Sequence, residues 1–202
     1  SNFVFGRPPL IMVLLWLGIL LWLQGSSKKL RWSALLGISY FLTFLLLRYP
    51  LSSEVVYFDI GQGDCTLIRE RFSRRVILID TGGKVHFAMP NWKKRPTKTS
   101  GETIVANYLL SKGITQIDQL YLTHQDADHV GNFPSLSRSI KINQMIVPAG
   151  MEDLPSFKRR LAKSTVAPKA VKGVTDKVSL SDPHLKLLHP FTRGQGTNAD
   201  SL

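Results

Sequence analysis

The hydrophobic pattern divides the chain into two parts. Residues 10–23 and 32–47 are nearly unbroken apolar runs, and residues 1–50 contain no Asp or Glu. Such runs are typical of membrane helices, although each is at the short end of the roughly 17–25 residues that a span needs. We therefore predict a membrane hairpin over residues 1–50 and a separate domain over residues 51–202. A signal peptide followed by a core helix is the alternative, which two adjacent runs without a small-residue cleavage site disfavour.

After residue 50 the apolar runs become short and are separated by glycines and polar turn residues. Short apolar runs bounded in this way are typical of buried strands. The predicted strands are Val55–Phe58, Cys65–Ile68, Val76–Ile79, Ile117–Leu122, Ile142–Val147 and Leu185–Leu188. We also predict a helix over residues 101–110, a basic helical turn over residues 157–163 and a twisted hairpin over residues 168–178. Strands that alternate with helices predict an α/β fold.

The cations of the N-terminal part predict its orientation. The loop between the two apolar runs carries Lys28, Lys29 and Arg31, whereas the outer flanks carry Arg7 and Arg48. Because Lys and Arg are enriched in cytoplasmic loops, we expect this loop to face the cytoplasm. Both ends of the hairpin and the domain after it would then face the cell exterior.

The domain after the hairpin is basic. Of the chain's 26 Lys and Arg and 14 Asp and Glu, residues 1–50 hold five cations and no anion, which leaves 21 cations against 14 anions and a net charge of +7. A basic domain suits a polyanion, because phosphate contacts supply most of the affinity of nucleic-acid-binding proteins. A solvated surface with no such partner is the alternative.

Residues 84–100 carry several of these cations and show no clear periodicity. In this segment Lys93, Lys94 and Arg95 directly follow Trp92. Cations among aromatic residues favour single-stranded nucleic acid, because bases stack on the rings while phosphates pair with the charges. We therefore predict that Lys93, Lys94 and Arg95 contact DNA. A flexible insertion without a partner is the alternative.

The densest cluster of reactive side chains follows the predicted strand 117–122. His124, Asp126, Asp128 and His129 place four ligand-type side chains within six residues. Histidine with carboxylate and no nearby cysteine suits Zn²⁺, Mn²⁺ or Fe better than Ca²⁺ or a structural zinc. A tight turn can direct the first two side chains toward one metal and the last two toward another, and two metals roughly 3.5–4 Å apart can share a water. A solvent-exposed polar loop capped by Asp128 is the alternative.

This pattern, His-x-Asp-x-Asp-His, resembles the metal motif of the metallo-β-lactamase superfamily, which is usually His-x-His-x-Asp-His. Asp126 stands where the second histidine usually stands, and a carboxylate there favours a harder ion such as Mn²⁺. Two further motifs narrow the resemblance, Phe58–Asp64 (FDIGQGD) and Ile79–Gly83 (IDTGG). In this order, the three motifs resemble the C-terminal domain of the ComEC family of bacterial DNA-uptake proteins.

The resemblance implies an αββα sandwich of metallo-β-lactamase type, preceded by two transmembrane helices. Residues 51–202 would hold the first half to two thirds of this sandwich. The implied function is metal-dependent hydrolysis of DNA phosphodiesters during DNA import, with two divalent ions, Mn or Zn, in the complete domain. The implied partners are single-stranded DNA, the membrane and other competence proteins. The implied location is the bacterial cell membrane, with the soluble domain on the extracellular side.

The resemblance also implies roles for individual residues. The implied metal ligands are His124, Asp126, Asp128 and His129. The candidate catalytic residues are Asp128, Asp80, Asp59 and Asp64. Asp80 would orient the metal loop without binding metal. Asp59, Gln62 and Asp64 would line the same cleft, and turn formation is the alternative for all three.

Three later residues are weaker candidates. His184 and His189 lie at the edges of the predicted strand 185–188, where histidines are more often structural, and Asn198 would lie near the position of a third histidine of the superfamily. Four ligands cannot fill two coordination spheres without several waters. We therefore expect the 202-residue chain by itself to hold at most one ion, weakly, and to show no turnover.

Two other functions fit the same residues. One is a membrane-tethered metallohydrolase of small esters, lactams or nucleotides, because this fold hosts many substrates. The other is a non-catalytic module that guides DNA and whose metal loop is only structural.

Overall fold

The computed structural model describes residues 4–25, 29–61, 63–83, 101–178 and 185–202. The predicted DNA contacts and two other site candidates lie outside these described residues. They are Lys93, Lys94, Arg95, Gln62 and His184.

Two helices form the N-terminal part, α1 (Leu10–Gly25) and α2 (Lys29–Arg48). They contact each other at Trp16, whose Nε1 donates a hydrogen bond of 3.0 Å to Ser39 Oγ. The two predicted membrane spans are not supported, because no helix in the described residues is both long enough and apolar enough to cross a bilayer. The 16 residues of α1 rise only about 24 Å, against a hydrocarbon thickness of about 30 Å.

In the described residues a single mixed sheet follows the hairpin, with its strands in chain order. The strands are β1 (Glu54–Tyr57), β2 (Thr66–Arg69), β3 (Val76–Ile79), β4 (Gln116–Tyr121), β5 (Lys141–Pro148) and β6 (Val171–Val174). The pairs β1–β2 and β2–β3 are antiparallel, and the pairs from β3 to β6 are parallel. The first five predicted strands are confirmed to within one residue at each end.

Two predictions near the end of the chain are wrong. Instead of a hairpin over residues 168–178, a 3₁₀ turn at Pro168–Ala170 leads into β6, whose backbone pairs in parallel with β5. Residues 185–188 form no strand in the structure. Leu187 is instead buried against Ile77 and Tyr121 on one face of the sheet, so its apolar side chain is covered without any strand pairing.

Four shorter helices connect the strands in the described residues. They are α3 (Ala106–Ser111), α4 (Ala127–Val130), α5 (Phe133–Ser139) and α6 (Pro155–Leu161). The helix predicted over residues 101–110 is confirmed in position, although it begins with a π-helical turn at Gly101–Val105. The predicted basic turn is also helical, and it begins two residues earlier, at Pro155.

The main core lies between one face of the sheet and the helices α3, α5 and α6. Its fully buried side chains include Leu67, Leu78, Leu120, Met145, Leu109, Phe133, Leu136 and Phe157. A smaller apolar cluster covers part of the opposite face. The α/β class is therefore confirmed, and the described residues supply one sheet with one helical layer. The division of the chain at residue 50 stays a prediction.

Candidate functional site

The three sequence motifs meet at one end of the sheet. Thr66 at the start of β2 pairs with Ile79 at the end of β3, and Ile79 pairs with Tyr121 at the end of β4. The turn before β2 and the loops after β3 and β4 therefore emerge at the same edge. In an α/β sheet this edge, at the carboxyl ends of the parallel strands, is where ligands bind.

The loop after β4 folds back on itself through the one-turn helix α4. Asp126 is the residue before this helix, with an extended backbone, and its carbonyl accepts hydrogen bonds of 3.0 Å from the N–H groups of His129 and Val130. This turn brings the His129 ring to 3.9 Å from the His124 ring, measured between centroids, at an interplanar angle of 46°. The two histidines of the motif are thus direct neighbours.

Each imidazole is held at Nδ1 and directs Nε2 toward a carboxylate of the loop. His129 Nδ1 lies 2.8 Å from Asp80 Oδ2, and its Nε2 lies 3.9 Å from Asp128 Oδ2. The buried His124 repeats this arrangement, with Thr123 Oγ1 3.0 Å from its Nδ1 and Asp126 Oδ2 3.6 Å from its Nε2. Metal-ligating histidines typically have one ring nitrogen held by such a partner, which leaves the other nitrogen available to the metal.

Asp80 occupies the centre of this network. Its side chain is 2% exposed, and its carboxylate accepts hydrogen bonds from the Thr123 N–H (2.8 Å) and the Thr123 hydroxyl (2.6 Å). Its backbone has a φ of 54°, in the left-handed region that Asp and Asn tolerate better than other residues with a Cβ. These contacts connect the end of β3 to the loop after β4, which is the position that the predicted orienting role requires. The role itself stays a prediction.

The carboxylates of the site contribute to the raised pKa values of two neighbouring groups, His129 and Cys65. The hydrogen bond that His129 Nδ1–H donates to the Asp80 carboxylate raises the pKa of His129. Burial opposes this shift, and the charges of Asp80, Asp128 and Asp64 add to it. Burial, with the charges of Asp80 and Asp64, raises the pKa of the Cys65 thiol far above its usual range. Because a metal ligand must be a thiolate, the buried Cys65 is unsuited to this role.

Glycines allow the three segments to approach closely. Gly63 has a φ of 75°, and a Cβ added there would collide with the main chain of Asp128. A Cβ on Gly83 would collide with the Ala127 carbonyl, and one on Gly131 would collide with the same carbonyl. The backbones of the turn before β2 and of the loop after β3 therefore lie directly against α4, which leaves no room for side chains between them.

The donor types fit a metal site in part. His124 with Asp126, and His129 with Asp128, form two pairs of ligand-type side chains whose imidazoles are already oriented. Within the described ranges, however, no three His, Cys, Asp or Glu side chains converge as a complete metal cluster does. The described part of the chain thus brings together two histidine–carboxylate pairs and no complete ligand cluster.

The other predicted site residues have different surroundings. Asp64 is exposed, and its charge contributes to the raised pKa of both His129 and Cys65. Asp59 is exposed and accepts a hydrogen bond of 3.3 Å from the Gly61 N–H, which agrees with the turn alternative. His189 pairs with the Ser201 carbonyl at 2.9 Å, which agrees with a structural role.

Asn198 is exposed and opens a short 3₁₀ turn, and no hydrogen bond connects its side chain to the metal loop within the described residues. The segment that contains it nevertheless reaches the loop through its backbone. The Gln125 N–H donates to the Gly196 carbonyl at 2.7 Å, and the Leu202 N–H donates to the Thr123 carbonyl at 3.1 Å.

The sequence predictions did not include three residues that hold the loop, Thr123, Ser156 and Arg160. Thr123 positions His124 and Asp80, while Ser156 and Arg160 of α6 both donate to Gln125, at 3.2 and 2.9 Å. The basic composition of residues 157–163 was the available signal. It does not reveal which of these cations faces the loop, because that depends on how α6 packs after β5.

Comparison with known proteins identifies the superfamily to which the chain belongs. Residues 58–197 match the metallo-beta-lactamase superfamily, and the chain belongs to this superfamily. Membership, together with the oriented histidine–carboxylate pairs, indicates metal binding without specifying the ion.

Among individual proteins, the chain is 32% identical over 190 residues to "ComE operon protein 3" of Bacillus subtilis (strain 168), a match that covers 90% of this chain and 24% of that protein. It is 27% identical over 131 residues to "Competence protein ComA" of Neisseria gonorrhoeae, covering 64% of this chain and 16% of that protein. The predicted resemblance to ComEC-type competence proteins is thus confirmed. The chain spans about a quarter of the length of the first relative.

Solved structures also match part of the chain. The chemotaxis sensor ODP from T. denticola matches with a TM-score of 0.38 and 15% identity, over 65% of this chain and 50% of that one. CmlA, a diiron beta-hydroxylase from Streptomyces venezuelae, matches with a TM-score of 0.36 and 19% identity, over 77% of this chain and 28% of that one.

Proposed function

We propose that this chain contains the metal-dependent hydrolase part of a bacterial DNA-uptake protein and that it acts on DNA phosphodiesters. The observation that carries the proposal is the pair of adjacent histidines, each held at Nδ1 and each with Nε2 next to a carboxylate of the same loop. The similarity to two proteins named for competence supports the DNA substrate.

In this proposal His124 and Asp126 hold one metal ion, and Asp128 and His129 hold the other. A bound metal would supply Lewis-acid activation of a water and would neutralise charge that develops on phosphorus. The protein's own groups keep the ligands in place. Asp80 holds the His129 ring at Nδ1, and the Thr123 hydroxyl lies between the Asp80 carboxylate and the His124 ring.

The proposal also covers the N-terminal hairpin and the location of the protein. Large apolar side chains of α1 and α2 are exposed, among them Leu10 (73%) and Trp22 (63%). An exposed apolar surface of this extent marks contact with lipid or with another protein. We therefore place the hairpin at the bacterial cell membrane, next to the membrane part of the uptake machinery, and the domain on the extracellular side.

The DNA partner is single-stranded in this proposal, and Lys93, Lys94 and Arg95 contact its phosphates. The net charge of +7 in residues 51–202 supports an anionic partner. Other competence proteins complete the proposed set of partners.

The test is Asp128→Asn in the intact protein, assayed with Mn²⁺ on single-stranded DNA. Removing one charge from a ligand pair should abolish metal-dependent DNA hydrolysis while the protein stays folded, as measured by circular dichroism. Asp153→Asn is the matched control, because Asp153 is an exposed carboxylate that pairs with Lys158 and Arg193 rather than with the loop. Full nuclease activity of Asp128→Asn at unchanged metal content would refute the assignment.

A generic ester and a lactam, assayed beside the DNA, separate the alternative functions. Hydrolysis of the small substrates without hydrolysis of DNA would favour the small-molecule hydrolase. DNA binding by the metal-loaded wild-type protein without any hydrolysis would favour the guiding module. Either result would replace the proposed nuclease function.

A further inference from the structure

Helix α6 is fastened to the candidate metal loop at a single residue. Ser156 and Arg160 are four positions apart and therefore share one face of the helix. Ser156 Oγ donates to Gln125 Oε1 at 3.2 Å, and Arg160 Nη1 donates to the Gln125 carbonyl at 2.9 Å. Gln125 stands between His124 and Asp126 in the metal motif. This face of α6 therefore contacts the metal motif at Gln125.

Arg160 brings a fixed positive charge to this contact. Among the described residues, the bond to Gln125 is the only hydrogen bond of its guanidinium, although a guanidinium offers five N–H donors. Burial lowers the pKa of Arg160 and the nearby Asp126 carboxylate opposes that shift, but arginine stays protonated in proteins. Holding a main-chain carbonyl requires only one donor, so most of the guanidinium's binding capacity serves no contact in the described structure.

The cations around Arg160 differ in what they face. Lys163 lies three positions further on, where its N–H donates to the Arg160 carbonyl at 3.0 Å, and its side chain is exposed on the same side as Arg160. Lys158 is engaged with Asp153 at 3.5 Å. Arg159 is exposed and, as the residue next to Arg160 in a helix, projects about 100° away from it. Arg160 and Lys163 therefore form a two-cation row that leads away from Gln125.

We propose that this row binds the sugar–phosphate backbone of the nucleic acid substrate: Arg160 takes the oxygens of a phosphate next to Asp126, and Lys163 takes the neighbouring phosphate. The planar guanidinium matches a phosphate with two parallel hydrogen bonds, and the flexible ammonium of Lys163 acts as a point charge. Contacts of this kind position the strand and carry no base information. The inference rests on the proposed nuclease function, because it names the part of that site that holds the substrate.

The experiment compares Arg160→Gln with Arg159→Gln in the intact protein. Each variant removes one positive charge from the same helix, but only Arg160 faces the loop. For Arg160→Gln we expect about a tenfold rise in KM for single-stranded DNA, because a hydrogen bond to a charged group is lost. The slope of log affinity against log salt should fall by about one. Metal content should not change, and Arg159→Gln should resemble the wild type in every measurement.

Ser156→Ala separates phosphate binding from simple support of the loop. It removes the other bond from α6 to Gln125 and leaves the charge of α6 intact. If Arg160 only supports the loop, Arg160→Gln and Ser156→Ala will both lower metal content, and neither will change the salt slope. That result would overturn the inference. A reduced salt slope for Arg160→Gln alone, with Arg160→Lys restoring most of it, would support the inference.

Failure of the inference can be told apart from failure of the proposed function. If the wild-type protein hydrolyses DNA and Arg160→Gln leaves KM and the salt slope unchanged, phosphate binding by the two-cation row is refuted and the nuclease function is retained. If the wild-type protein binds DNA without hydrolysing it and Arg160→Gln still reduces the salt slope, the nuclease function is wrong and the phosphate contact stands.

Discussion

The N-terminal hairpin exposes apolar side chains, whereas the metal loop and its support bury polar ones. In the hairpin, apolar residues such as Leu10 and Trp22 are 73% and 63% exposed. In the loop and its support, polar residues such as Asp80 and His124 are 2% and 5% exposed. Buried polar groups must be hydrogen-bonded, so the geometry of the loop is specified by the groups around it. The exposed apolar side chains of the hairpin have no comparable set of specifying contacts among the described residues.

The hairpin is nevertheless connected to the sheet, and this connection also depends on a buried polar group. Arg69 of β2 is 2% exposed and donates to the carbonyls of Leu47 and Arg48 at the end of α2, at 3.1 and 3.0 Å. Its Nη1 also lies 3.4 Å from Glu54 of β1. A cation at the carboxyl end of a helix also complements the helix dipole. The sheet therefore holds the hairpin at the last turn of α2.

The largest expected effect is at Asp80, where the polar network is densest. Asp80→Ala removes the partner of Thr123 and His129 and places alanine at a left-handed backbone position. We expect a loss of about 3–5 kcal/mol in the free energy of unfolding, because a buried pair is broken. We also expect metal affinity to fall about 10–100-fold. Urea denaturation of the metal-free protein and a metal titration measure the two effects.

Asp80→Asn is the matched control for this prediction. Asparagine tolerates the left-handed conformation, and its amide can still accept the hydrogen bond from the Thr123 N–H. It should therefore cost clearly less stability than Asp80→Ala. If Asp80→Ala changes the free energy of unfolding by less than about 1 kcal/mol, the network does not specify the loop, because buried pairs of this kind are worth more than that.

The next prediction compares the effect of a Gly→Ala substitution on the free energy of unfolding in the two regions. Gly131→Ala would place a Cβ against the Ala127 carbonyl beside the metal loop, and we expect it to destabilise the protein by about 2–3 kcal/mol through overpacking. Gly18→Ala in α1 meets no atom within 4 Å, and we expect it to stabilise the helix by about 0.5–1 kcal/mol. Urea denaturation with circular dichroism measures both. Equal effects at the two positions would contradict the contrast between a packed loop and an open hairpin.

Position along the sheet explains why much of the site was predictable from the sequence. The motifs around Asp80 and His124 each follow a short apolar run, and both runs became parallel neighbours, β3 and β4. Loops after neighbouring parallel strands must meet, so recognising the strands was enough to bring the motifs together. The helix over residues 101–110 could be predicted for a similar reason, because its apolar positions repeat with the helical period.

The parts that could not be predicted depend on contacts between distant segments. The partner of Arg160 is Gln125, 35 positions earlier, and nothing local distinguishes Arg160 from Arg159 in the sequence. Residues 171–174 contain the apolar positions of a strand, but the choice between a hairpin and a parallel pair with β5 depends on which edge is open. The apolar runs of the hairpin suggested membrane spans because composition alone does not fix where a helix begins and ends.

The smallest effect concerns the charge of His129 in the metal-free protein. The hydrogen bond to Asp80 raises the pKa of His129 above its ordinary value of about 6.5, so the folded state binds this proton more tightly than the unfolded state. The stability that follows is fully present below about pH 6.5 and is lost as pH rises through the raised pKa.

His129→Asn keeps a donor toward Asp80 but does not titrate. The free energy of unfolding of the wild type minus that of His129→Asn, measured with a chelator between about pH 5 and about pH 9, should therefore decrease as pH rises. The decrease should become smaller when both proteins also carry Asp80→Asn, because Asp80 contributes most to the raised pKa of His129. A difference that is flat or that grows with pH would show that the bond to Asp80 does not favour the protonated ring, and the polar network of the loop would then not stabilise a positive charge on His129.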